Sequence, residues 1–147
     1  MKIFNGRAAE ILLVEDNPGD VMLTKEAFLE AKVNNNITVV KDGEEALNYL
    51  KKEAAFAEVT TPDIILLDLN LPKKDGREVL SVIKQDTSLR RIPVIVLTSS
   101  KAEQDVINTY DLHANGYMVK PVDFEQFNKI VQAVENFWFS VVVLPEE

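Results

Sequence analysis

The chain has 147 residues, a formal net charge of −8 and no cysteine. That length suits one domain with a substantial core and is short for two, and without thiols neither a disulfide scaffold nor a thiolate metal site can form. Its 16 basic residues are scattered among 24 acidic ones, a poor footprint for nucleic acid, and no apolar run approaches a membrane span or a signal-peptide core, so a soluble cytoplasmic protein is expected.

Met1–Ala9 reads as a loose lead-in. The first apolar run, Ile11–Val14, ends on Glu15 and Asp16. Pro18 suits a helix start, and Leu23, Ala27 and Ala31 share one face of the helix that follows. Asn34–Asn36 reads as a loop before the second run, Ile37–Val40. Asp42 with Glu45 three residues on makes a capping box for a helix bearing Ala46, Leu47 and Leu50. The third run, Ile64–Leu67, ends on Asp68. Asp75-Gly76 reads as a turn and helix start, followed by Val79, Val82 and Ile83. The fourth run, Val94–Leu97, ends on Thr98 and Ser99; Ser100 with Glu103 then repeats the capping pattern before Val106 and Tyr110. A weaker fifth run, Tyr117–Val119, ends on Lys120-Pro121. The last helix carries Phe124, Phe127, Ile130, Val131, Val134 and Trp138.

Strand-like and helix-like stretches thus alternate five times. Parallel strands need crossover connections, and those are right-handed, so the pattern predicts an α/β fold: a doubly wound parallel sheet with helices on both faces. One domain is expected over residues 8–139, with a tail over 140–147 whose VVVLP segment has no place in the five units.

In such a sheet the strand exits open on one edge, where ligands gather. That edge would receive Glu15, Asp16, Asp68, Thr98 and Lys120. Three carboxylates in one crevice repel one another, and they either raise their pKa values or recruit a cation. Hard oxygen ligands with room for water and phosphate suit Mg²⁺. Lys120 offers the opposite charge and Thr98 a hydroxyl donor. Metal, cation and hydroxyl around a phosphoryl group make a phosphoryl-transfer site, and a carboxylate can be the nucleophile that forms an aspartyl phosphate. Asp68 stands between the acidic pair and the hydroxyl and is the candidate nucleophile. Taken singly, Asp16 reads as well as a helix cap, Asp68 as a turn residue, and Thr98 as a helix-entry residue. The combination at four of five strand exits is what points to phosphoryl chemistry. The lone histidine, His113, lies in a loop-like stretch, so the phosphoryl donor should be another molecule.

The motifs ILLVEDN, DIILLDLNLPKKDG, PVIVLTSS and GYMVKP, in this order, resemble the receiver domains of two-component response regulators from about Glu10 to Phe139. The resemblance implies a flavodoxin-like (βα)5 sheet in 2-1-3-4-5 order. It implies that Asp68 accepts a phosphoryl group from a sensor histidine kinase, that Asp16, Asp68 and the Asn70 backbone carbonyl bind Mg²⁺ directly, and that Glu15 helps through water. Thr98 and Lys120 would bind the phosphoryl oxygens, Tyr117 would be an aromatic switch moving with Thr98, and the Lys120-Pro121 bond would be cis. The stretches LNLPKKDGREVL and IPVIVLTSS and the FWF helix end are also similar to stand-alone regulators paired with cyanobacterial and other bacterial phytochrome kinases.

Eight residues follow Phe139, too few for a DNA-binding module, so output is expected through protein contact. Phe137, Trp138 and Phe139 with Val141–Leu144 add an apolar end to the face that the fourth helix, fifth strand and fifth helix would build. One helix buries one stripe; the remaining aromatics are covered either by the tail or by a second copy in a homodimer. Two other functions compete. A haloacid-dehalogenase-type phosphohydrolase uses similar groups, but its second aspartate, two residues after the nucleophile, is Asn70 here. An unphosphorylated receiver-like interaction module is the other.

Overall fold

The structure, a computed structural model, describes residues 9–30, 35–53, 56–69, 71, 75–98, 116–120, 123 and 125. The expected fourth helix, the fifth apart from Glu125, and Asn70, Ser99, His113, Pro121 and the residues 137–147 lie outside the described residues. The elements are β1 (Ala9–Val14), α1 (Pro18–Glu30), β2 (Asn35–Val40), α2 (Gly43–Leu50), β3 (Ile64–Asp68), α3 (Gly76–Gln85), β4 (Val94–Thr98) and β5 (Gly116–Val119).

All five strands form one parallel sheet in the order β2-β1-β3-β4-β5, as the family resemblance implies. The period-2 alternation of strand side chains divides the core. Ile11, Leu13, Ile64, Leu66, Ile95, Leu97 and Met118 pack on the α1 side with Phe28. Leu12, Val14, Ile65, Leu67, Val94 and Val96 pack on the other side with α2 and α3. β3 and β4 are buried at every position, which is why their apolar runs are continuous.

The helix starts follow side-chain chemistry. Asp42 Oδ1 accepts from Glu45 N at 2.8 Å, and Glu45 Oε1 reaches back to Lys41 N at 2.9 Å. Asp75 Oδ1 accepts from Arg77 N at 2.7 Å and caps α3. Gly76 then lets α3 press against the exit of β3: a Cβ there would stand 2.5 Å from the Asp68 carbonyl oxygen. No larger residue fits that approach without moving the backbone that carries Asp68.

Three expectations change. Leu23 is 45 % exposed, so of the stripe Leu23, Ala27 and Ala31 the first does not face the core, Ala27 does, and Ala31 lies outside the described residues. Thr24 and Phe28 are buried, with Val21 and Ala27 packed beside them. The inward stripe contains a threonine, which hides it from an apolar-periodicity reading. Asn35 and Asn36 belong to β2 and not to a loop, because β1 supplies the pairing: Asn35 lies opposite Ala9 and Asn36 opposite Glu10. Asn36 Nδ2 also donates to Glu10 Oε2 at 2.8 Å. Ala9 is fully buried at the start of β1 and is no part of a loose lead-in.

Candidate functional site

β1, β3, β4 and β5 all end at the same edge of the sheet. Asp68 is the last residue of β3 and has the same parity as Ile64 and Leu66, so it faces the α1 side. Lys120 follows β5 with the parity of Met118, and its backbone N donates to Thr98 O at 2.8 Å. Glu15 follows β1, anchored by its N–H to Val40 O at 3.0 Å. Sheet geometry therefore delivers these three side chains to one place.

There Lys120 Nζ stands 2.9 Å from Asp68 Oδ2, 2.9 Å from Glu15 Oε1 and 3.1 Å from Asp20 Oδ2. The contacts to Asp68 and Asp20 are hydrogen bonds. The contact to Glu15 Oε1 is an ion pair; this buried oxygen meets the Lys120 ammonium but makes no further hydrogen bond among the described residues. Glu15 is 1 % exposed and Asp68 4 %. Burial pushes the Glu15 carboxyl up from its ordinary 4.5 to about 7, and the neighbouring Asp68 adds to this while Lys120 opposes it. Burial alone would lower the Lys120 ammonium, but the carboxylates of Glu15, Asp68 and Asp20 outweigh it and push its pKa up. Lys120 is held as a cation.

Glu15, Asp16 and Asp68 each place a carboxylate oxygen within 4.8 Å of the others. Two of the three are buried and Asp16 faces solvent. The cap of α1 is Asn17, whose Oδ1 accepts from Asp20 N at 3.0 Å; Asp16 is not the cap. A hard divalent cation fits this donor set: three clustered carboxylates, two of them buried and one open to solvent.

Thr98 is fully buried at the end of β4, and its Oγ1 donates to Met118 O at 3.4 Å. Its hydroxyl faces the neighbouring strand. Tyr117 is half-buried and packs on the α2–α3 side of the sheet, the face that also carries Val94 and Val96 and, by parity, Thr98. The predicted residues thus form two sets. Glu15, Asp16, Asp68 and Lys120 converge, while Thr98 and Tyr117 share the other face. Asn70 lies outside the described residues. Asp20 was not legible as a site residue. It lies one turn after Asp16 at the start of α1, where an acidic residue usually serves the helix dipole.

The model of the response regulator receiver domain matches residues 11–132. The chain belongs to this family. The receiver is 45% identical over 135 residues to response regulator Rcp1 of Synechocystis, covering 92% of both chains. It superposes on the crystal structure of the Mn²⁺-bound form of Rcp1 with a TM-score of 0.72 at 44% identity, covering 93% of this chain and 99% of that one. The bacteriophytochrome response regulator AtBRR gives a TM-score of 0.84 at 44% identity, over 96% of this receiver and 99% of AtBRR. The phosphorylated cyanobacterial phytochrome response regulator RcpA gives 0.73 at 48% identity, over 94% and 99%. Receiver membership displaces the phosphohydrolase reading, since a signalling family matches along most of the chain. Receivers work with sensor histidine kinases. No helix among the described residues is long and apolar enough to cross a membrane.

The Glu15 environment makes a pH prediction. Its folded-state pKa is raised, so the folded chain holds the proton longer than the unfolded chain does. This contribution is fully present below pH 4.5 and is lost as pH rises through about 7. In metal-free buffer the wild type should lose stability relative to Glu15→Gln across that window. Urea unfolding of both at a series of pH values measures the gap. Parallel curves would contradict the assignment.

Proposed function

We propose that this receiver is a stand-alone response regulator in which Asp68 accepts a phosphoryl group from the phosphohistidine of a sensor histidine kinase of the phytochrome class. The observation that carries the reading is the ammonium of Lys120 set 2.9 Å from a buried aspartate beside two further carboxylates. The kinship with RcpA, AtBRR and Rcp1 supports the phytochrome pairing, and the near-equal coverage of Rcp1 supports action as a single domain.

In this reading an Asp68 carboxylate oxygen attacks the phosphorus. The new P–O bond forms as the P–N bond to the donor imidazole breaks, and the imidazole nitrogen leaves with the electron pair. Lys120 holds the nucleophile now and follows the phosphoryl oxygens afterwards. Thr98 turns its hydroxyl from the Met118 carbonyl to a phosphoryl oxygen, and Tyr117, on the same face, moves into the space this opens. A divalent cation, Mg²⁺ in our reading, held by Glu15, Asp16, Asp68 and the Asn70 carbonyl, would neutralise charge on the transferring group; the Mn²⁺-bound form of Rcp1 supports that site. The phosphorylated arrangement is then favoured because the phosphoryl group binds it better. The protein is a phosphoacceptor of the cytoplasm and not a turnover enzyme, with slow self-dephosphorylation at most.

Output runs through protein contact. We place a homodimer on the face of the fourth helix, β5 and the fifth helix, with Phe137, Trp138 and Phe139 at its end. The edge position of β5 supports this. Sedimentation should show dimers at micromolar concentration; a strict monomer with and without phosphorylation would remove the dimer and leave the phosphoacceptor reading standing.

The phosphoacceptor reading is tested by incubating the protein with Mg²⁺ and acetyl phosphate and weighing it intact. One phosphoryl group should be added. Asp68→Asn, and wild type without divalent metal, should gain none. An unmodified wild type, with acetyl phosphate and with a phosphorylated kinase alike, would overturn it in favour of a binding-only module.

A further inference from the structure

An ammonium has three N–H donors, and here three carboxylates lie within 3.1 Å of one. Two of them, Glu15 and Asp68, come from the ends of strands and are buried. The third, Asp20, comes from the first turn of α1, and its side chain is 31 % exposed. It lies 100 residues from Lys120 in the chain, so the contact is made by the fold alone. The helix does not need this carboxylate for its cap, because Asn17 Oδ1 caps through the backbone N–H of Asp20.

We propose that Asp20 is a positioning residue that shares the Lys120 ammonium with Asp68 and thereby weakens the hold of the site on a phosphoryl group. This rests on the phosphoacceptor reading of Asp68. Phosphorylation replaces a carboxylate monoanion with a group of higher negative charge beside the same ammonium. Asp20 sets a second negative charge 3.1 Å from that ammonium. It draws the N–H donors toward itself and repels an incoming dianion. Small anionic donors feel both effects, so the receiver resists being charged by them. A kinase that buries the mouth of the site brings binding energy of its own to offset the repulsion.

The experiment compares wild type, Asp20→Asn and Asp20→Glu with acetyl phosphate and Mg²⁺, following the P–O bond to acetate break as the Asp68 acyl phosphate forms and acetate leaves with the electron pair. Asp20→Asn should lower the half-saturating acetyl phosphate concentration by roughly two- to fivefold, the scale of one partly exposed ion pair. The change should fall on half-saturation more than on the maximal rate. It should shrink at about 0.5 M salt, where exposed charges are screened. Asp20→Glu, which keeps the charge, should restore the wild-type value. Unchanged or raised half-saturation in Asp20→Asn overturns the proposal, as does an Asp20→Glu that behaves like Asp20→Asn; a fall in stability without a kinetic change would mark Asp20 as a helix-dipole residue only. A wild type that takes up no phosphoryl group overturns this proposal together with the phosphoacceptor reading, whereas a modified wild type with an indifferent Asp20→Asn overturns Asp20 alone.

Discussion

Burying two carboxylates at one sheet edge is unfavourable unless a cation meets them. Lys120 is that cation, 52 residues from Asp68 in the chain and 2.9 Å from it in space. The contact requires β5 to lie beside β4, β4 beside β3, and all three to run parallel in one register. It also requires the side-chain parity that turns Glu15, Asp68 and Lys120 toward the same side of the sheet. A register slip of one residue would send any of them to the opposite face. The apolar interior fixes that register, because β1, β3 and β4 are packed on both faces. Core and site are therefore one constraint: the residues that fill the sheet also aim the charges.

This arrangement is poised, not saturated. Glu15 is buried and shares the Lys120 ammonium with Asp68 and Asp20, and burial still pushes its carboxyl up to about 7. An acid in that state favours anything that brings positive charge. The Thr98 hydroxyl is held by a long 3.4 Å contact to the Met118 carbonyl, and a neutral bond of that length is weak enough to exchange for a charged phosphoryl acceptor. A receiver needs two arrangements close in energy, and under the proposed phosphoacceptor reading these two contacts are where they would differ.

Most of this was legible in the sequence for a physical reason. Parallel strands buried on both faces leave continuous apolar runs, so Ile64–Leu67 and Val94–Leu97 announce themselves, and a polar residue at the end of such a run marks the edge. Asp68, Glu15 and Lys120 were found that way. The inward face of α1 was not, because Thr24 sits on it while Met22, Leu23 and Leu29 are exposed. The start of β2 was missed because Asn35 and Asn36 are poor strand formers whose pairing comes from β1. Asp20 was missed because a first-turn acid looks the same whether it serves the helix or reaches across the fold.

The central claim is that the edge aspartate itself carries the phosphoryl group. Borohydride reduction of the phosphorylated receiver, followed by peptide mapping, tests it directly, since reduction of an acyl phosphate converts aspartate to homoserine. Homoserine is expected at Asp68 alone. Reduction at Asp16 or Glu15, or a borohydride-resistant phosphate on a hydroxyl residue such as Thr98, would contradict it.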